Sequence, residues 1–212
     1  MSEAGLLTIV QWLSPAFPVG SFAYSHGLEW AISAGEISDA PALEGWISTI
    51  LTEGAGRCDA ILLCHALNPA ADLAELSALA EALAASRERL AETCEQGRAL
   101  LTTTNALLGQ DLPPMPYPVA LGAAARGLGL PPRQVAGLYL QAFASALVQV
   151  GVRFVPLGQT QGQRVLSALH PVITTLAAEA ATSPLAALGS GGLRADLAAM
   201  RHETLDVRIY RT

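Results

Sequence analysis

The spacing of apolar residues is the feature that most constrains how this chain can fold. Alanine and leucine supply most of them, and they recur at intervals of three and four residues, which places side chains on one face of an α-helix. Both residue types are strong helix formers. No segment before the last few residues alternates apolar and polar residues as a strand would. The sequence therefore predicts an all-α protein, a single compact bundle of roughly ten helices with short loops.

Prolines mark several boundaries of these helices. Pro41 and the pair 131–132 lie where the first turn of a helix accepts proline. The proline-rich segment 111–118 predicts instead a stiff, non-helical connector between two helical halves. We expect one domain over residues 1–204 and a C-terminal tail over residues 205–212. The tail is too short to form an independent element, so we expect it to be mobile in the free protein.

The longest apolar stretch, Val135–Val152, is only marginally long enough to cross a membrane. Glutamines, a serine and a glycine interrupt it, and no cluster of basic residues flanks it. We therefore expect the buried central helix of the bundle, with a membrane-associated helical protein as the alternative. Three cysteines without framework spacing, and a start without a basic signal region, predict a reducing, cytoplasmic location.

The charged residues argue against several classes of function. All 12 basic residues are arginine, so the chain has no lysine for a P-loop or a Schiff base. It also has no basic stripe of the kind that binds nucleic acid. Residues 1–56 carry six acidic residues and no basic one, which places the whole formal charge of −6 in the first quarter of the chain. This excess of negative charge predicts either a solvated acidic surface or a docking face for a basic partner.

The segment Pro15–Glu29 is the most distinctive in the chain. Its prolines and a glycine predict a rigid loop, followed by a helix over residues 22–34 that Ser21 caps. On such a helix His26 and Glu29 share a face. The pair could act as a general acid and base, pack as a structural pair or form a recognition surface. Nothing nearby in the sequence supplies a nucleophile or an oxyanion hole for catalysis.

Cysteines and histidines are the candidates for metal ligation. Cys58 and His65 share a face of one predicted helix, but two turns separate them by about 10.5 Å along its axis, and Cys64 points elsewhere. One ion cannot bind both, so we expect core thiols and no metal ligand, although a site built across a symmetric dimer would escape this geometry. His202 lies near the end of the last predicted helix, 193–204, where we expect it to be partly exposed and to interact favourably with the helix dipole.

Two further stretches have the composition of contact surfaces. Glutamines at alternate positions from Gln159 to Gln163 follow a proline turn, and their amides suit a fixed polar network or an interface. In the tail, Arg208, Tyr210 and Arg211 are residue types that often dominate the energy of protein interfaces.

Three stretches, in the same order, resemble the UreF family of urease accessory proteins. They are the segment Pro15–Glu29, the proline–glutamine stretch 155–164, and the end of the chain from Met200. The resemblance implies an all-helical scaffold with no catalytic and no metal-binding residue. The partner-binding residues that it favours are Tyr24, His26, Glu29, Gln159, Gln163, Arg208, Tyr210 and Arg211.

The resemblance also implies a function in the activation of urease. A protein of this kind would act as a homodimer in a complex with an accessory protein of the UreD/UreH type and with the GTPase UreG, and would help to insert nickel into apo-urease. The complex would handle the nickel, and the scaffold itself would bind no cofactor tightly. The alternative from another class is a metal-dependent or acid–base enzyme centred on His26 and Glu29.

Overall fold

The computed structural model describes residues 2–212 and confirms the all-α class. In this part of the chain there are eleven α-helices, three short 3-10 turns and no strand. The α-helices are α1 Glu3–Trp12, α2 Leu28–Ser33, α3 Ala40–Glu53, α4 Ala55–Ala66, α5 Leu73–Ala82, α6 Arg87–Leu108, α7 Tyr117–Ala125, α8 Pro132–Phe154, α9 Gln159–Ala168, α10 His170–Ala180 and α11 Leu193–His202. The 3-10 turns are Ser21–Ala23, Arg126–Leu128 and Leu185–Ala187.

Local sequence sets the start of several helices. The Asp39 carboxylate accepts a hydrogen bond from the backbone N–H of Ala42 at 2.9 Å, one residue after Pro41, so α3 begins as its cap and proline predict. Ser86 caps α6 in the same way. The predicted connector, 111–118, is two residues too long, because Tyr117 and Pro118 form the first turn of α7. Proline is tolerated there because the backbone N–H groups of the first turn have no hydrogen-bond partner within the helix.

The core of the bundle lies where α4 packs against α7 and α8. Every residue of α7 is buried. Gly122 lets α7 approach α4 closely, because a Cβ atom at this position would lie 2.6 Å from the Leu63 carbonyl oxygen and 2.7 Å from the Ala66 Cβ. Small residues at this crossing thus set the spacing of two central helices.

Helix α8 is the predicted apolar helix, and it packs against α3, α4, α9 and α10. It is the one helix in residues 2–212 that is long and apolar enough to span a membrane, yet half of its apolar window is buried by the rest of the protein. The rest of the window is half-buried, and from Gln134 to Gln149 the helix carries no charged residue.

The predicted helix over residues 22–34 is wrong in its first half. Ser21 does not act as its cap; residues Ser21–Ala23 form one 3-10 turn, and α2 begins only at Leu28. Between them His26 and Gly27 adopt left-handed backbone angles, with φ of 52° and 73°. A Cβ atom on residue 27 would lie 2.5 Å from the backbone nitrogen of Ala199 in α11, so tertiary packing rather than local propensity determines this turn.

The glutamine stretch follows a turn between α8 and α9, as the sequence predicts. Gln159 is the first residue of α9, and the Gln161 side chain accepts a hydrogen bond from the Gly158 N–H at 3.1 Å. This hydrogen bond satisfies a backbone amide at the start of the helix. Gln159 and Gln163 are exposed.

Candidate functional site

The C-terminal tail, residues 205–212, packs against the loop that precedes α2. The Glu29 carboxylate, at the start of α2, accepts hydrogen bonds from the backbone N–H groups of Ile209 and Tyr210, both at 2.9 Å. Tyr210 is buried, and its ring lies 5.4 Å from that of Phe154. We expected a mobile tail, but in the structure the buried carboxylate of Glu29 binds the main chain of the tail.

The end of the tail is fixed by a second set of hydrogen bonds. Thr212 is buried, and its side-chain oxygen accepts from the backbone N–H groups of Ser25 and His26 at 3.1 and 3.2 Å. The Ser25 hydroxyl donates to a main-chain oxygen of Thr212, and the Arg211 N–H donates to the Ala23 carbonyl at 2.8 Å. The first and last distinctive segments of the sequence thus form one junction.

His202 connects this junction to α6. The expectation of a partly exposed histidine is wrong, because its side chain is fully buried. Its Nε2 lies 2.9 Å from Glu29 Oε2, and its Nδ1 lies 2.7 Å from Glu88 Oε2. The other oxygen of Glu88 accepts from Arg208 Nη1 at 2.6 Å. We call this chain of Glu29, His202, Glu88 and Arg208 the histidine clamp.

His26 and Glu29 do not form the pair that a helix would give them. His26 Nε2 lies 3.0 Å from Glu92 Oε1 on α6, whereas Glu29 contacts His202 and the tail. The left-handed turn at His26 sends the two side chains to different partners. An acid–base enzyme centred on this pair therefore has no support in the contacts of these residues.

Glu92 lies at the centre of a second buried network. Its Oε1 also accepts from Gln96 Nε2 at 3.1 Å, and its Oε2 lies 3.2 Å from Arg89 Nη1 as an ion pair without hydrogen-bond geometry. Burial works to raise the pKa of Glu92, but His26 and Arg89 outweigh burial and hold that pKa below its ordinary value.

Arg89 carries this network on to α4 and α8. Its guanidinium donates to Asp59 Oδ2 at 2.6 Å, and the Tyr139 hydroxyl donates to the same oxygen at 2.6 Å. Burial alone would lower the pKa of Arg89, but Asp59 and Glu92 raise it above its ordinary value. Burial first, and Asp59 next, raise the pKa of Tyr139 well above the ordinary one. Three helices and the loop thus share one buried network of charged and polar groups.

A cavity of about 230 Å³ lies beneath the loop, between α1, α6 and α8. Its walls are mostly apolar, and His26, Arg89, Glu92 and Gln96 contribute its polar part. The cavity therefore places the second network beside an apolar space that the loop covers.

The exposed part of the junction consists of tail and loop side chains. Arg211 donates to Glu95 Oε2 at 2.8 Å, and the Tyr24 hydroxyl donates to the same oxygen at 3.0 Å. Burial, followed by this bond to Glu95, raises the pKa of Tyr24 to about 12. Five exposed residues, which we call the junction surface, surround these contacts. They are Phe22, Val207, Arg208, Ile209 and Arg211.

The structure brings together six of the eight partner-binding residues predicted from the sequence. Arg208 and Arg211 are exposed there, while Tyr24, His26, Glu29 and Tyr210 are buried and hold the junction from within. Gln159 and Gln163 lie apart on α9, which packs against α3, α8 and α10. No hydrogen bond within residues 2–212 joins these two glutamines to the tail.

Sequence reasoning missed the residues of α6 that hold the junction. Glu88 and Glu92 are one turn apart, as are Glu92 and Gln96, so all three lie along one stripe of the helix. The available signal was this repeat of polar residues, on a helix face that would otherwise be expected to point into the core. Asp59 gave no such signal, because it is a single acidic residue in an apolar helix.

The candidate metal residues lie on one helix, α4, as predicted. Cys58 contacts the Gly189 carbonyl at 3.4 Å, Cys64 lies 3.9 Å from the Pro132 carbonyl, and His65 Nε2 lies 2.9 Å from the Ser183 carbonyl. Burial raises the pKa of Cys64 to about 12, so its thiol stays protonated. Within the described residues, no three His, Cys, Asp or Glu side chains are placed to hold one metal ion.

Fold and site define an all-helical protein whose loop and C-terminal segment meet at a buried ionic junction. The profile of the UreF family matches residues 37–170. A urease accessory protein UreF of Cereibacter sphaeroides (strain ATCC 17029 / ATH 2.4.9) is 63% identical over 210 residues, which cover 99% of this chain and 100% of that protein. Those of Dinoroseobacter shibae and Paracoccus denitrificans are 55% and 48% identical over 210 residues, each over 99% of this chain and over 99% and 97% of their own lengths. The chain belongs to the UreF family of urease accessory proteins.

Proposed function

We propose that this protein is a scaffold that couples the GTPase UreG to the insertion of nickel into apo-urease, in a complex with an accessory protein of the UreD/UreH type. The observation that carries the proposal is the similarity to urease accessory proteins UreF over the whole chain, which includes both segments of the junction. In this role nickel is the cargo of the complex, and the scaffold binds no cofactor tightly.

The junction surface is the proposed docking site for the UreD/UreH-type protein. Val207 and Ile209 are 78% and 69% exposed, although they are apolar and lie beside a buried tyrosine. Arg208 and Arg211 lie on either side of Ile209 and are held by carboxylates of α6. Arginine is enriched among interface hot spots, and the exposed apolar side chains beside these arginines supply surface that a partner would bury.

The half-buried face of α8 away from the cavity supports the proposed homodimer. It is uncharged from Gln134 to Gln141, and Gly137 and Leu138 lie between the two glutamines. Two copies of such a helix can approach closely without burying an unpaired charge. The exposed glutamines of α9, Gln159 and Gln163, remain proposed contacts of a partner.

The proposed scaffold acts on the GTPase through shape rather than chemistry. Ion pairs between α2, α4, α6 and α11 hold the loop and the tail in one arrangement. A surface of fixed shape can favour one nucleotide state of a partner by binding it more tightly, which shifts the population of that state. We therefore propose a non-enzymatic protein of the cytoplasm, free of nucleic acid and membrane.

The test is co-purification with the UreD/UreH-type protein and with UreG, followed by urease activation in cells that lack this protein. We expect the double variant Val207→Asp, Ile209→Asp to lose at least about tenfold in binding, since a buried charge at the centre of an interface costs more than 1.4 kcal/mol. Leu107→Asp is the matched control, because Leu107 is 58% exposed at the far end of α6. Unchanged binding by the double variant, with unchanged helicity, would refute the docking site.

Metal analysis of the purified protein tests the enzyme alternative directly. We expect no stoichiometric, tightly bound metal. Tight metal that is lost with His26→Ala would reinstate the enzyme.

A further inference from the structure

The geometry of the histidine clamp suits one form of the His202 ring. Both ring nitrogens of His202 face carboxylate oxygens, at 2.9 Å from Glu29 and 2.7 Å from Glu88. A neutral imidazole donates from one nitrogen only, whereas the imidazolium donates from both. Glu29 Oε2 also accepts the N–H of Tyr210. The imidazolium is therefore the form of the ring that donates to both carboxylates at once.

Loss of a proton from the imidazolium would leave the clamp without a donor at one of its two contacts. A nitrogen lone pair would then face a carboxylate oxygen at less than 3 Å, in a fully buried site. Two buried carboxylates would retain one cation between them, Arg208, whose side chain is 45% exposed. Unpaired buried charge is strongly destabilising, and the tail, the most weakly embedded part of the clamp, is the part that can move.

The charged groups around His202 come from two of the helices packed against α11. Helix α2 contributes Glu29, and α6 contributes Glu88, with Glu92 one turn further along. On α11 itself Arg201 stacks on Trp30, and just beyond its end Glu203 pairs with Arg87. The α3 carboxylates of Glu44 and Glu53 have no ion pair with His202 among the described residues.

We infer that His202 is a proton-dependent latch for the C-terminal tail. With the proton bound, Glu29 keeps its charge partner and holds the main chain of Ile209 and Tyr210. As the pH rises and His202 loses its proton, the tail leaves the loop and the junction surface loses its fixed shape. This regulation rests on the proposed docking function: a released tail must be ordered again on binding, which lowers affinity for the partner.

The latch also has a chemical link to the proposed pathway. Urea hydrolysis releases ammonia, a base, so active urease raises the local pH. A latch that opens on alkalisation would slow further activation once product accumulates.

The experiment uses the full chain in solution by NMR, from about pH 5.5 to about pH 9.5, which brackets the ordinary titration of imidazole. It follows the ring signals of His202 and the hydrogen-exchange protection of the Ile209 and Tyr210 amides, corrected for intrinsic exchange. We expect protection to fall about tenfold to a hundredfold as the His202 ring signal changes, the equivalent of one charge-assisted hydrogen bond. Constant protection across the range would overturn the latch.

Three variants separate the latch from general destabilisation. Glu88→Gln keeps the size of the side chain but removes one charge, so release should occur at lower pH; release at an unchanged pH would contradict the inference. His202→Gln should give low protection that no longer depends on pH. His170→Gln, at the exposed start of α10, should behave as the parent protein.

Partner binding is measured separately across the same pH range. A tail that is released without any change in binding would support the latch and refute the docking role of the tail. Binding that weakens while the tail stays protected would refute the latch and leave the docking role standing.

Discussion

Replacement of Glu29 by alanine tests whether the loop motif is a surface feature or part of the folded core. The side chain is only 4% exposed, and it accepts two backbone N–H groups and faces His202. Glu29→Ala leaves both amides and one nitrogen of His202 without an acceptor. Each amide contributes about 1 kcal/mol, and the charge-assisted contact about 1.5–3 kcal/mol.

The expected loss in the free energy of unfolding is therefore about 3.5–5 kcal/mol, a large part of the stability of an ordinary domain. For a chain of this size that corresponds to a decrease in Tm of about 7–20 °C. Urea unfolding followed by tryptophan fluorescence measures the loss, because Trp30 stacks on Arg201 beside the clamp. Thermal unfolding followed by circular dichroism provides the second readout.

Glu81→Ala is the matched control, because Glu81 is exposed near the end of α5 and its replacement should change stability by less than about 0.5 kcal/mol. If Glu29→Ala were as mild as this control, the carboxylate would not hold the tail and the account of the junction would be wrong.

Two further predictions concern helix packing and pH. Gly122→Ala should destabilise the protein by about 1–3 kcal/mol, because the added methyl group would overlap α4. Gly45→Ala in α3 is the control: the space around Gly45 is open, so this change should stabilise the protein by about 0.5–1 kcal/mol. Equal effects of the two changes in urea unfolding would contradict the close crossing of α7 and α4. The pKa of Glu92 is lowered in the folded state, so its contribution is fully present above the ordinary glutamate value of about 4.3 and is lost as the pH falls through the folded value. Glu92→Gln should accordingly weaken the acid dependence of the unfolding free energy, and an unchanged slope would show that His26 and Arg89 do not stabilise the carboxylate.

Helix caps, prolines and the spacing of apolar residues were enough to predict the class of fold and many helix boundaries. Caps and prolines such as Asp39 and Pro132 act within a few residues of where they stand, so their effect on α3 and α8 can be predicted without knowledge of the fold. The spacing of alanine and leucine likewise indicates helices whatever they pack against. Resemblance in three stretches identified the family, and the comparisons confirmed it over the whole chain.

How the distinctive segments meet could not be predicted without the assembled fold. Gly27 cannot carry a side chain because α11 passes 2.5 Å from where its Cβ would be, and that contact spans more than 170 residues of sequence. The turn at this glycine separates His26 from Glu29 and gives each a partner on another helix.

The tail illustrates the same limit. Eight residues are too few to be ordered by themselves, and nothing in the sequence shows that the N–H of Ile209 will find a carboxylate 180 positions away. Buried charges such as Glu29 are stable only when their partners are in place, so their roles emerge from the assembled helices and not from local pattern.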